Sequence, residues 1–417
     1  MFIERSVYGE LVDHLERREI SLIIGPRQAG KTTLMLRLQE ELERRGERTL
    51  FLSLDFDRDI PAFESQTALL NRVELEMGKR GGVIFVDEIQ RRENAGIFLK
   101  GLFDMGIPYK LVVSGSGSLE LKEKIYESLV GRKRVFRVNT VSLKEFMDFK
   151  TGYRYRGKIR RFAETFPGEA RALLEEYMMF GGYPRVVLEE TLEEKVSTLD
   201  EIFSSYVERD ISYLLGVEKI DAYRTLLKLL AAQTGGLLNL QELSSMAGIS
   251  LPTLKKYLTY AQKTFVISLV PPFFRNVRKE VRRAKTVYFH DLGLRNFVLG
   301  HPYRLLSPEE RGFLFQNLVF RVLSDGHSRS NVDIRYWRTA SKAEVDFVVE
   351  VGSEIVPVEV KWTKKTPKVS RSLRSFLDRY QPKEAWIVTP GSRSHREVGG
   401  TIVKVMTIWD LVHTCYG

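Results

Sequence analysis

The sequence predicts an α/β fold that begins with a parallel sheet covered by helices on both faces. Short apolar runs of strand type alternate with helical stretches over residues 20–149, an order that is typical of parallel sheets. Within this part, residues 25–32 satisfy the pattern G-x-x-x-x-G-K-[ST] between an apolar strand and a leucine-rich helix. Strand-type runs return near the C-terminal end and predict a second α/β domain. The strands predicted for the first sheet are residues 21–24, 49–54, 83–86, 111–114 and 134–138.

Length and charge limit the class of protein. The chain has 417 residues, which is too long for one ordinary hydrophobic core and predicts several domains. We place them at residues 1–150 for the first sheet, 151–235 for a helical region, 236–305 for a winged helix-turn-helix and 306–417 for the second α/β domain. The formal net charge of +11 favours a polyanionic partner such as nucleic acid.

Cysteine content and hydropathy indicate the compartment. The single cysteine, Cys415, excludes a disulfide within the chain and fits a reducing environment. The sequence contains no apolar run of about 18 residues, the length that a transmembrane helix needs, and no signal peptide. The six histidines are scattered without the spacing of zinc ligands. We therefore expect a cytoplasmic protein that has neither a membrane partner nor a zinc site.

The motif at residues 25–32 indicates a nucleotide site. Its glycines allow successive backbone N–H groups to turn towards a phosphate, and the N-terminus of the following helix adds a partial positive charge. We expect Lys31 to bridge the β- and γ-phosphates of ATP and the Thr32 hydroxyl to hold Mg²⁺. ATP and Mg²⁺ are thus the predicted cofactors, and the predicted nucleotide-binding residues are Gly25, Pro26, Arg27, Gln28, Ala29, Gly30, Lys31, Thr32 and Thr33.

A second motif adds two acids. Residues 83–86 form an apolar run of buried-strand type that ends in Asp87 and Glu88, which is the Walker B form. We expect Asp87 to reach the Mg²⁺ shell. Glu88 is the candidate general base that activates water against the γ-phosphate. The catalytic residues predicted around the nucleotide are Lys31, Glu88 and Arg132.

Two further features have open interpretations. The hydroxyls of Ser114 and Ser116, after the apolar run at 111–113, either sense the γ-phosphate or belong to an ordinary turn. Arg132, between a predicted helix and a strand, either reaches a neighbouring γ-phosphate as an arginine finger or sensor, or is a solvated surface charge. A homo-oligomer is compatible with the finger, and the sequence leaves the oligomeric state open.

Six short segments, taken in order, give a family resemblance. They are Gly-Pro-Arg-Gln-Ala-Gly-Lys-Thr-Thr at 25–33, Phe-Val-Asp-Glu-Ile-Gln at 85–90, Ser-Gly-Ser at 114–116, Gly-Arg at 131–132, Phe-Gly-Gly-Tyr-Pro at 180–184 and Arg-Asp-Ile at 209–211. Over nearly the whole chain, they resemble the prokaryotic AAA-like ATPases, related to the signalling ATPases of archaea and bacteria, that carry a C-terminal domain of unknown function. Residues 139–143 depart from the pattern, since they lack an expected proline-leucine pair. The resemblance implies that the helical region is a lid on the nucleotide domain.

Residues 238–300 have the pattern of a winged helix-turn-helix. A short helix at 240–246, a turn at 247–249 and a second helix at 251–262 precede strands at 265–270 and 286–289, which flank a basic wing. On DNA, the second helix would enter the major groove while the wing neutralises phosphates. The alternative is that this module mediates contacts between domains. The predicted DNA contacts are Lys255, Lys256, Arg278, Arg282 and Arg283.

The C-terminal domain carries a further acid cluster. Predicted strands at 333–337, 344–349 and 355–360 contain Asp346 and the sequence Glu359-Val360-Lys361, an arrangement that resembles the restriction-endonuclease-like core. In such a site Asp346 and Glu359 would bind Mg²⁺, and Lys361 would orient water or stabilise the scissile phosphate. Gln316 stands where one branch of that fold has a glutamate, and an amide binds Mg²⁺ more weakly than a carboxylate. A fold kept for binding or packing is the alternative.

These motifs predict an ATP-hydrolysing AAA-like switch or motor whose output goes to DNA through the basic C-terminal half. Two alternatives stay open. One is a regulatory or signalling ATPase whose C-terminal domains bind a protein partner, and the other is a metal-dependent DNA nuclease that ATP licenses.

Overall fold

The computed structural model describes residues 2–116, 128–214, 216–273, 284–300, 307–326, 332–363 and 365–416. The chain forms two compact units. The first comprises residues 1–140, 201–220 and 256–266, and the second comprises residues 141–200, 221–255 and 267–417. The first unit therefore includes two segments that lie far along the chain from its sheet.

The first unit is built on a five-stranded sheet. Its strands are β1 (Ile20–Gly25), β2 (Thr49–Ser53), β3 (Gly82–Asp87), β4 (Tyr109–Ser116) and β5 (Lys133–Arg137). They lie in the order β2-β3-β4-β1-β5, and all four pairs are parallel. This order separates β1 from β3 by one strand and places the carboxyl ends of all five strands at one edge. The α/β class and the P-loop NTPase type of sheet are thus confirmed.

Both faces of this sheet are buried because apolar residues stand at successive positions. On β1, Ile20, Leu22 and Ile24 belong to the apolar cluster on one face, whereas Ile23 belongs to the cluster on the other face. Since successive strand side chains point to opposite faces, an unbroken apolar run requires cover on both sides. The helices of this part are α1 (Tyr8–Asp13), α2 (Lys31–Arg44), α3 (Gln66–Met77) and α4 (Ala95–Asp104), with single 3₁₀ turns at His14–Glu16, Ile60–Phe63 and Ile89–Arg91.

The distant segments of the first unit are helical. Tyr206–Leu214 is a π-helix, a form in which backbone bonds run from residue i to residue i+5 and which is found chiefly at functional sites. The hydroxyls of Tyr206 and Thr264 lie 3.0 Å apart, and Phe265 packs against the core of the sheet. These contacts hold both segments within the unit.

The second unit contains a six-stranded mixed sheet in the order β12-β13-β11-β10-β9-β8 and a separate antiparallel pair, β6-β7. Strands β8, β9 and β10 form an antiparallel meander, and β10 then pairs in parallel with β11. The strands are β6 (Ile267–Val270), β7 (Thr286–Phe289), β8 (Val332–Arg338), β9 (Glu344–Val351), β10 (Glu354–Val360), β11 (Glu384–Thr389), β12 (Ser394–Val398) and β13 (Thr401–Thr407).

Helices make up most of the remaining described chain. At the start of α5, Ser142 and Glu145 form a capping box, in which each side chain bonds to the other residue's backbone N–H. This cap stands in the stretch where the resemblance led us to expect a proline. The helices are α5 (Leu143–Lys150), α6 (Ile159–Thr165), α7 (Pro167–Phe180), α8 (Pro184–Leu188), α9 (Leu192–Ser205), α10 (Ile220–Ala232), α11 (Leu240–Met246), α12 (Leu251–Lys263), α13 (Leu292–Val298), α14 (Pro308–Gly326), α15 (Arg371–Tyr380) and α16 (Ile408–Tyr416).

Most expected strands and helices occur within two residues of their predicted ends. The turn interpretation of residues 114–116 is wrong, because these residues are the last three of β4. No helix within the described ranges is both long enough and apolar enough to cross a membrane. The domain boundaries that we predicted remain predictions.

Candidate functional site

The P-loop connects the end of β1 to the start of α2 through a backbone that requires glycine twice. A Cβ at Gly25 would lie 2.0 Å from the carbonyl oxygen of Val138, so any side chain there would force the neighbouring strand away. Gly30 has φ +89°, a left-handed conformation that glycine adopts without strain. The loop therefore reaches the N-terminus of α2, where free backbone N–H groups favour an anion.

Lys31 is the buried cation of this loop. Its Nζ donates hydrogen bonds to the carbonyl oxygens of Gly25 at 3.1 Å and Pro26 at 2.8 Å. Burial lowers the pKa of Lys31, and the nearby charges of Glu88, Asp210 and Asp87 oppose that effect. A buried ammonium group surrounded by carbonyls and acids has the charge and reach to bind phosphate oxygens.

Asp87 receives hydrogen bonds on both carboxylate oxygens from hydroxyl groups. Thr32 Oγ1 donates to Oδ2 at 2.8 Å, and Ser114 Oγ donates to Oδ1. The sheet brings these residues together, because Asp87 ends β3 and Ser114 lies on the adjacent β4. Hydroxyl and carboxylate oxygens are the ligands that Mg²⁺ prefers, so Thr32 and Asp87 fit the ion that the motif implies.

Glu88 follows β3 in a left-handed conformation with φ +57°, which is unusual for a residue with a side chain and is common at functional sites. Its backbone N–H donates to Ser114 Oγ at 3.2 Å, and its carboxylate accepts a hydrogen bond from Gln90 Nε2. Gln90 Oε1 in turn accepts from the backbone N–H of Ser116 at 3.1 Å. Burial raises the pKa of Glu88, while Lys31 and Arg27 act to lower it. Glu88 is thus a half-buried carboxylate that hydrogen bonds hold in place, and it has the properties of a general base.

Arg132 lies away from this cluster. Ile20, the first residue of β1, donates its N–H to the carbonyl oxygen of Arg132 at 2.9 Å. Arg132 is therefore at the amino edge of the sheet, about 20 Å from the P-loop along β1. Its guanidinium pairs with Asp104, with Nε 2.7 Å from Oδ1. The length of β1 therefore separates Arg132 from the P-loop of its own chain. A finger or sensor for a neighbouring γ-phosphate and a solvated surface charge both remain predictions.

The sequence reasoning missed three residues that contact the nucleotide site. Gln90 connects Glu88 to β4 through its side-chain amide. Arg5 Nη1 donates to the carbonyl oxygen of Ala29 at 2.8 Å, and its Nη2 donates to that of Asn139. Asp210 of the π-helix lies 2.9 Å from Arg27 of the P-loop, measured from Oδ2 to Nε. The Arg-Asp-Ile segment was the only sequence signal for Asp210, and Arg5 had none.

A second cluster of polar residues occurs in the other unit, where α14, β9 and β10 meet. Gln316 Nε2 donates to Asp346 Oδ1 at 2.9 Å, and the backbone N–H of Val360 donates to Asp346 Oδ2 at 2.7 Å. Lys361 Nζ lies 3.0 Å from Glu359 Oε1. Burial raises the pKa of Asp346 to about 7. The four residues singled out in the sequence thus lie together.

Their donor set does not fit a divalent cation well. Both oxygens of Asp346 accept from N–H groups, which cannot themselves become ligands, and Gln316 presents its amide nitrogen rather than its oxygen to the acid. Only Glu359 Oε2 is buried without a hydrogen-bond partner among the described atoms of this cluster. The described residues also contain no group of three or more His, Cys, Asp or Glu side chains that could hold a metal ion. We therefore derive no metal chemistry at this cluster.

The predicted DNA contacts are only partly described. Lys255 and Lys256 are exposed on α12, and Lys256 Nζ lies 5.5 Å from the ring centroid of Tyr260. Arg278, Arg282 and Arg283 lie outside the described residues. The wing therefore stays a prediction.

Sequence models of three protein families match successive parts of the chain. Residues 17–147 match an AAA domain. Residues 171–304 match a domain of unknown function (DUF8612), and residues 311–411 match another domain of unknown function (DUF4143). The AAA match contains the five-stranded sheet, the P-loop and both acids after β3.

Similar proteins occur in bacteria and archaea. "Uncharacterized protein Rv2008c" of Mycobacterium tuberculosis is 27% identical over 415 residues, which cover 97% of this chain and 84% of that protein. "Uncharacterized protein MJ1544" of Methanocaldococcus jannaschii is 24% identical and covers 83% of this chain and 75% of its own length. A protein of Haemophilus influenzae is 22% identical over 98% of both chains.

Solved structures show a weaker likeness. The Aeropyrum pernix Orc1 protein in complex with DNA is 13% identical, covers 73% of this chain and 94% of its own, and has a TM-score of 0.34. AMPPCP-bound DnaA from Aquifex aeolicus is 13% identical, covers 63% of this chain and 90% of its own, and has a TM-score of 0.27. These scores are too low to assign a function. The AAA match and the P-loop geometry together show that the chain carries an AAA-like P-loop ATPase domain.

Proposed function

We propose that the protein hydrolyses ATP at the P-loop, with Glu88 as the general base. The observation that carries this proposal is the position of Glu88, whose carboxylate is held by Gln90 at the same sheet edge as Lys31 and Asp87. Binding of the nucleotide alone does not use an acid next to the metal ligand. An acid there can take a proton from water.

Each residue of the site has a separate role in the reaction. Lys31 and the loop N–H groups bind the β- and γ-phosphates. Thr32 and Asp87 would hold Mg²⁺, which neutralises charge on the phosphates when bound. As the oxygen of water forms its bond to the γ-phosphorus, the bond from that phosphorus to the bridging oxygen breaks, and Glu88 accepts the proton. The products are ADP and inorganic phosphate.

The test replaces Glu88 by Gln, which preserves shape but cannot take the proton. We expect turnover to fall by about 100-fold or more, while ATP affinity measured by calorimetry stays within about threefold. Glu93→Gln, at an exposed position on the same segment, is the matched control and should hydrolyse normally. Normal hydrolysis by Glu88→Gln would place the base elsewhere, and a wild-type protein that binds ATP without turnover would reduce the function to nucleotide binding.

We further propose that the ATPase acts on DNA. Exposed lysines at positions 255 and 256 of α12, together with the net charge of +11, support this output over a protein partner. The double change Lys255→Glu/Lys256→Glu should weaken binding to all duplex sequences alike. The salt slope should decrease by about one for each phosphate that the protein no longer neutralises.

The control for this experiment is a second double substitution that changes the net charge by the same amount at a different site. Lys219 and Lys228 are exposed, and their double change to Glu alters net charge by the same amount. Equal weakening in both variants would mean that only the overall charge matters. An unchanged salt slope in the Lys255/Lys256 variant would favour the alternative in which this module binds protein.

A further inference from the structure

A buried ion pair connects the P-loop to the π-helix. Arg27 Nε lies 2.9 Å from Asp210 Oδ2, and both side chains are largely shielded from water. Asp210 Oδ1 is also buried, and it has no hydrogen-bond partner in the described residues. Removing two charges from water costs more than a simple pair returns. A buried pair of this kind therefore indicates a role other than stability.

The acids near Arg27 indicate the role of the ion pair. Its charge interacts with Glu88 and Asp55 as well as with Asp210. Glu88 follows β3 and Asp55 follows β2, so both acids stand at the same sheet edge as the P-loop that carries Arg27. In a hydrolytic site, the γ-phosphate and the attacking water must lie between the loop and that base.

The geometry of the pair leaves donors for a second anion. Asp210 contacts the Nε position of Arg27, and a guanidinium carries further N–H groups on its two terminal nitrogens in a fixed fork. An arginine whose Nε is paired with a carboxylate can present that fork to phosphate oxygens. Lys31 is a single ammonium group that donates to the loop carbonyls of Gly25 and Pro26, so the fork of Arg27 would add donors beside it.

We propose that Arg27 binds the γ-phosphate and that Asp210 is the positioning residue that orients it. The π-helix Tyr206–Leu214 is then coupled to the presence of the γ-phosphate through this one ion pair. The inference rests on the proposed nucleotide site and assigns the arginine that Arg132, at the opposite sheet edge, cannot supply in its own chain. It predicts that discrimination between ATP and ADP depends on both residues.

The experiment measures binding and turnover in the full chain. Calorimetry with AMPPCP and with ADP, each with Mg²⁺, gives the ratio of the two affinities, and steady-state assays give kcat and KM for ATP. Arg27→Ala should weaken AMPPCP binding about tenfold and ADP binding less than about twofold. Asp210→Asn should lower kcat by about tenfold with little change in KM, because the arginine remains but is no longer held.

A double variant separates positioning from a general structural effect. If Asp210 acts only through Arg27, Arg27→Ala/Asp210→Asn should be no worse than Arg27→Ala alone. The control is Arg72→Ala, which breaks an exposed ion pair with Glu76 on α3. It should leave the ratio of AMPPCP to ADP affinity unchanged, and also kcat and KM. The inference would be overturned if the losses of the two single variants multiplied in the double variant. It would also be overturned if Arg27→Ala weakened AMPPCP and ADP binding equally.

Arg27→Lys provides a second test in case Asp210→Asn does not fold. Lysine keeps the charge but lacks a fork that can contact Asp210 and phosphate together, so it should retain only part of the preference for AMPPCP. A wild-type preference in Arg27→Lys would contradict the inference. Failure of the proposed function gives a different pattern, in which wild-type protein binds nucleotide selectively but does not hydrolyse ATP.

Discussion

Asp87 is a buried carboxylate and Asp346 is a half-buried one, and different donors surround them. Asp87 accepts from the hydroxyls of Thr32 and Ser114. Asp346 accepts from the side-chain amide of Gln316 and the backbone N–H of Val360. A hydroxyl oxygen can turn its lone pairs to a cation, whereas an amide N–H has none to offer. The first acid therefore belongs to a site that can exchange partners, and the second belongs to a closed network.

This comparison separates two acid clusters that look alike in the sequence. Both combine acids with a lysine, and in each cluster an aspartate lies on a strand. Lys31 bonds to loop carbonyls and leaves the acids beside it accessible to a ligand, whereas Lys361 pairs directly with Glu359. The hydrogen-bond and ion-pair partners of the acids, rather than the acids alone, therefore decide whether a cluster can bind a ligand or metal ion.

The largest effect should come from Lys31→Ala. This change removes the cation that the motif directs at the β- and γ-phosphates, so ATP turnover should fall by about 100- to 1,000-fold and ATP affinity should fall with it. Radiometric phosphate release and calorimetry measure the two quantities. Lys79→Ala, at an exposed position paired with Glu74, should retain both. Wild-type turnover in Lys31→Ala would contradict the distinction between the two clusters, since the Asp87 cluster would then not be the nucleotide site.

A decrease in stability without a change in nucleotide binding should follow Asp346→Ala. The change leaves two buried N–H groups without an acceptor and should cost about 3 kcal/mol of unfolding free energy. Urea unfolding measures this, and Asp333→Ala, at an exposed acid, is the control. ATP affinity should not change. A fully stable Asp346→Ala protein would show that the network is not structural and reopen the site to other chemistry.

The pH dependence of stability should single out the same acid. The pKa of Asp346 is about 7 in the folded protein and about 4 in an unfolded chain, so the folded state binds the extra proton between these values. The contribution of Asp346 to stability is then highest below about pH 4 and is lost as pH rises to about 7, by about 2 kcal/mol between pH 5 and 7.

Comparing wild type with Asp346→Asn isolates this contribution, because asparagine does not titrate. The difference in unfolding free energy between the two proteins should change over the same pH range in which Asp346 ionises. A difference that stays constant from pH 5 to 7 would mean that the carboxyl ionises normally and that its network is open to water.

The smallest effect should come from converting the closed network into a metal site. Gln316→Glu replaces an N–H donor by a carboxylate beside Asp346 and thus supplies the missing oxygen ligand. Without nucleotide, Mg²⁺ should raise the melting temperature of this variant by about 2 to 4 °C and leave wild type unchanged. The variant is also where slow Mg²⁺-dependent DNA cleavage should first be detected.

A second substitution controls the metal experiment. Gln316→Glu/Asp346→Asn should show neither the thermal shift nor any cleavage, because one of the two carboxylates is gone. Stabilisation of wild-type protein by Mg²⁺ alone would contradict the distinction between the clusters.

The sequence allowed the P-loop, the acids after β3 and the strands around them to be predicted, because each signal lies within a few neighbouring residues. The donor that faces Asp346 could not be predicted, since an amide side chain can present either its oxygen or its nitrogen. The sheet edge that Arg132 occupies could not be predicted, because its spacing to the next strand does not indicate that edge. The contact of Asp210 with the P-loop was missed because the Arg-Asp-Ile segment does not indicate which distant residue it meets.

The strand order has a consequence for the size of the nucleotide groove. Because β4 lies between β1 and β3, the loop and the acids stand two strand spacings apart, or about 10 Å. That width is a property of the backbone hydrogen-bond ladder and is therefore the same whatever side chains the strands carry. The serines at the end of β4 are small enough to leave this space open. A bulky side chain at either serine would fill this space and weaken nucleotide binding, even with every phosphate-binding residue still present.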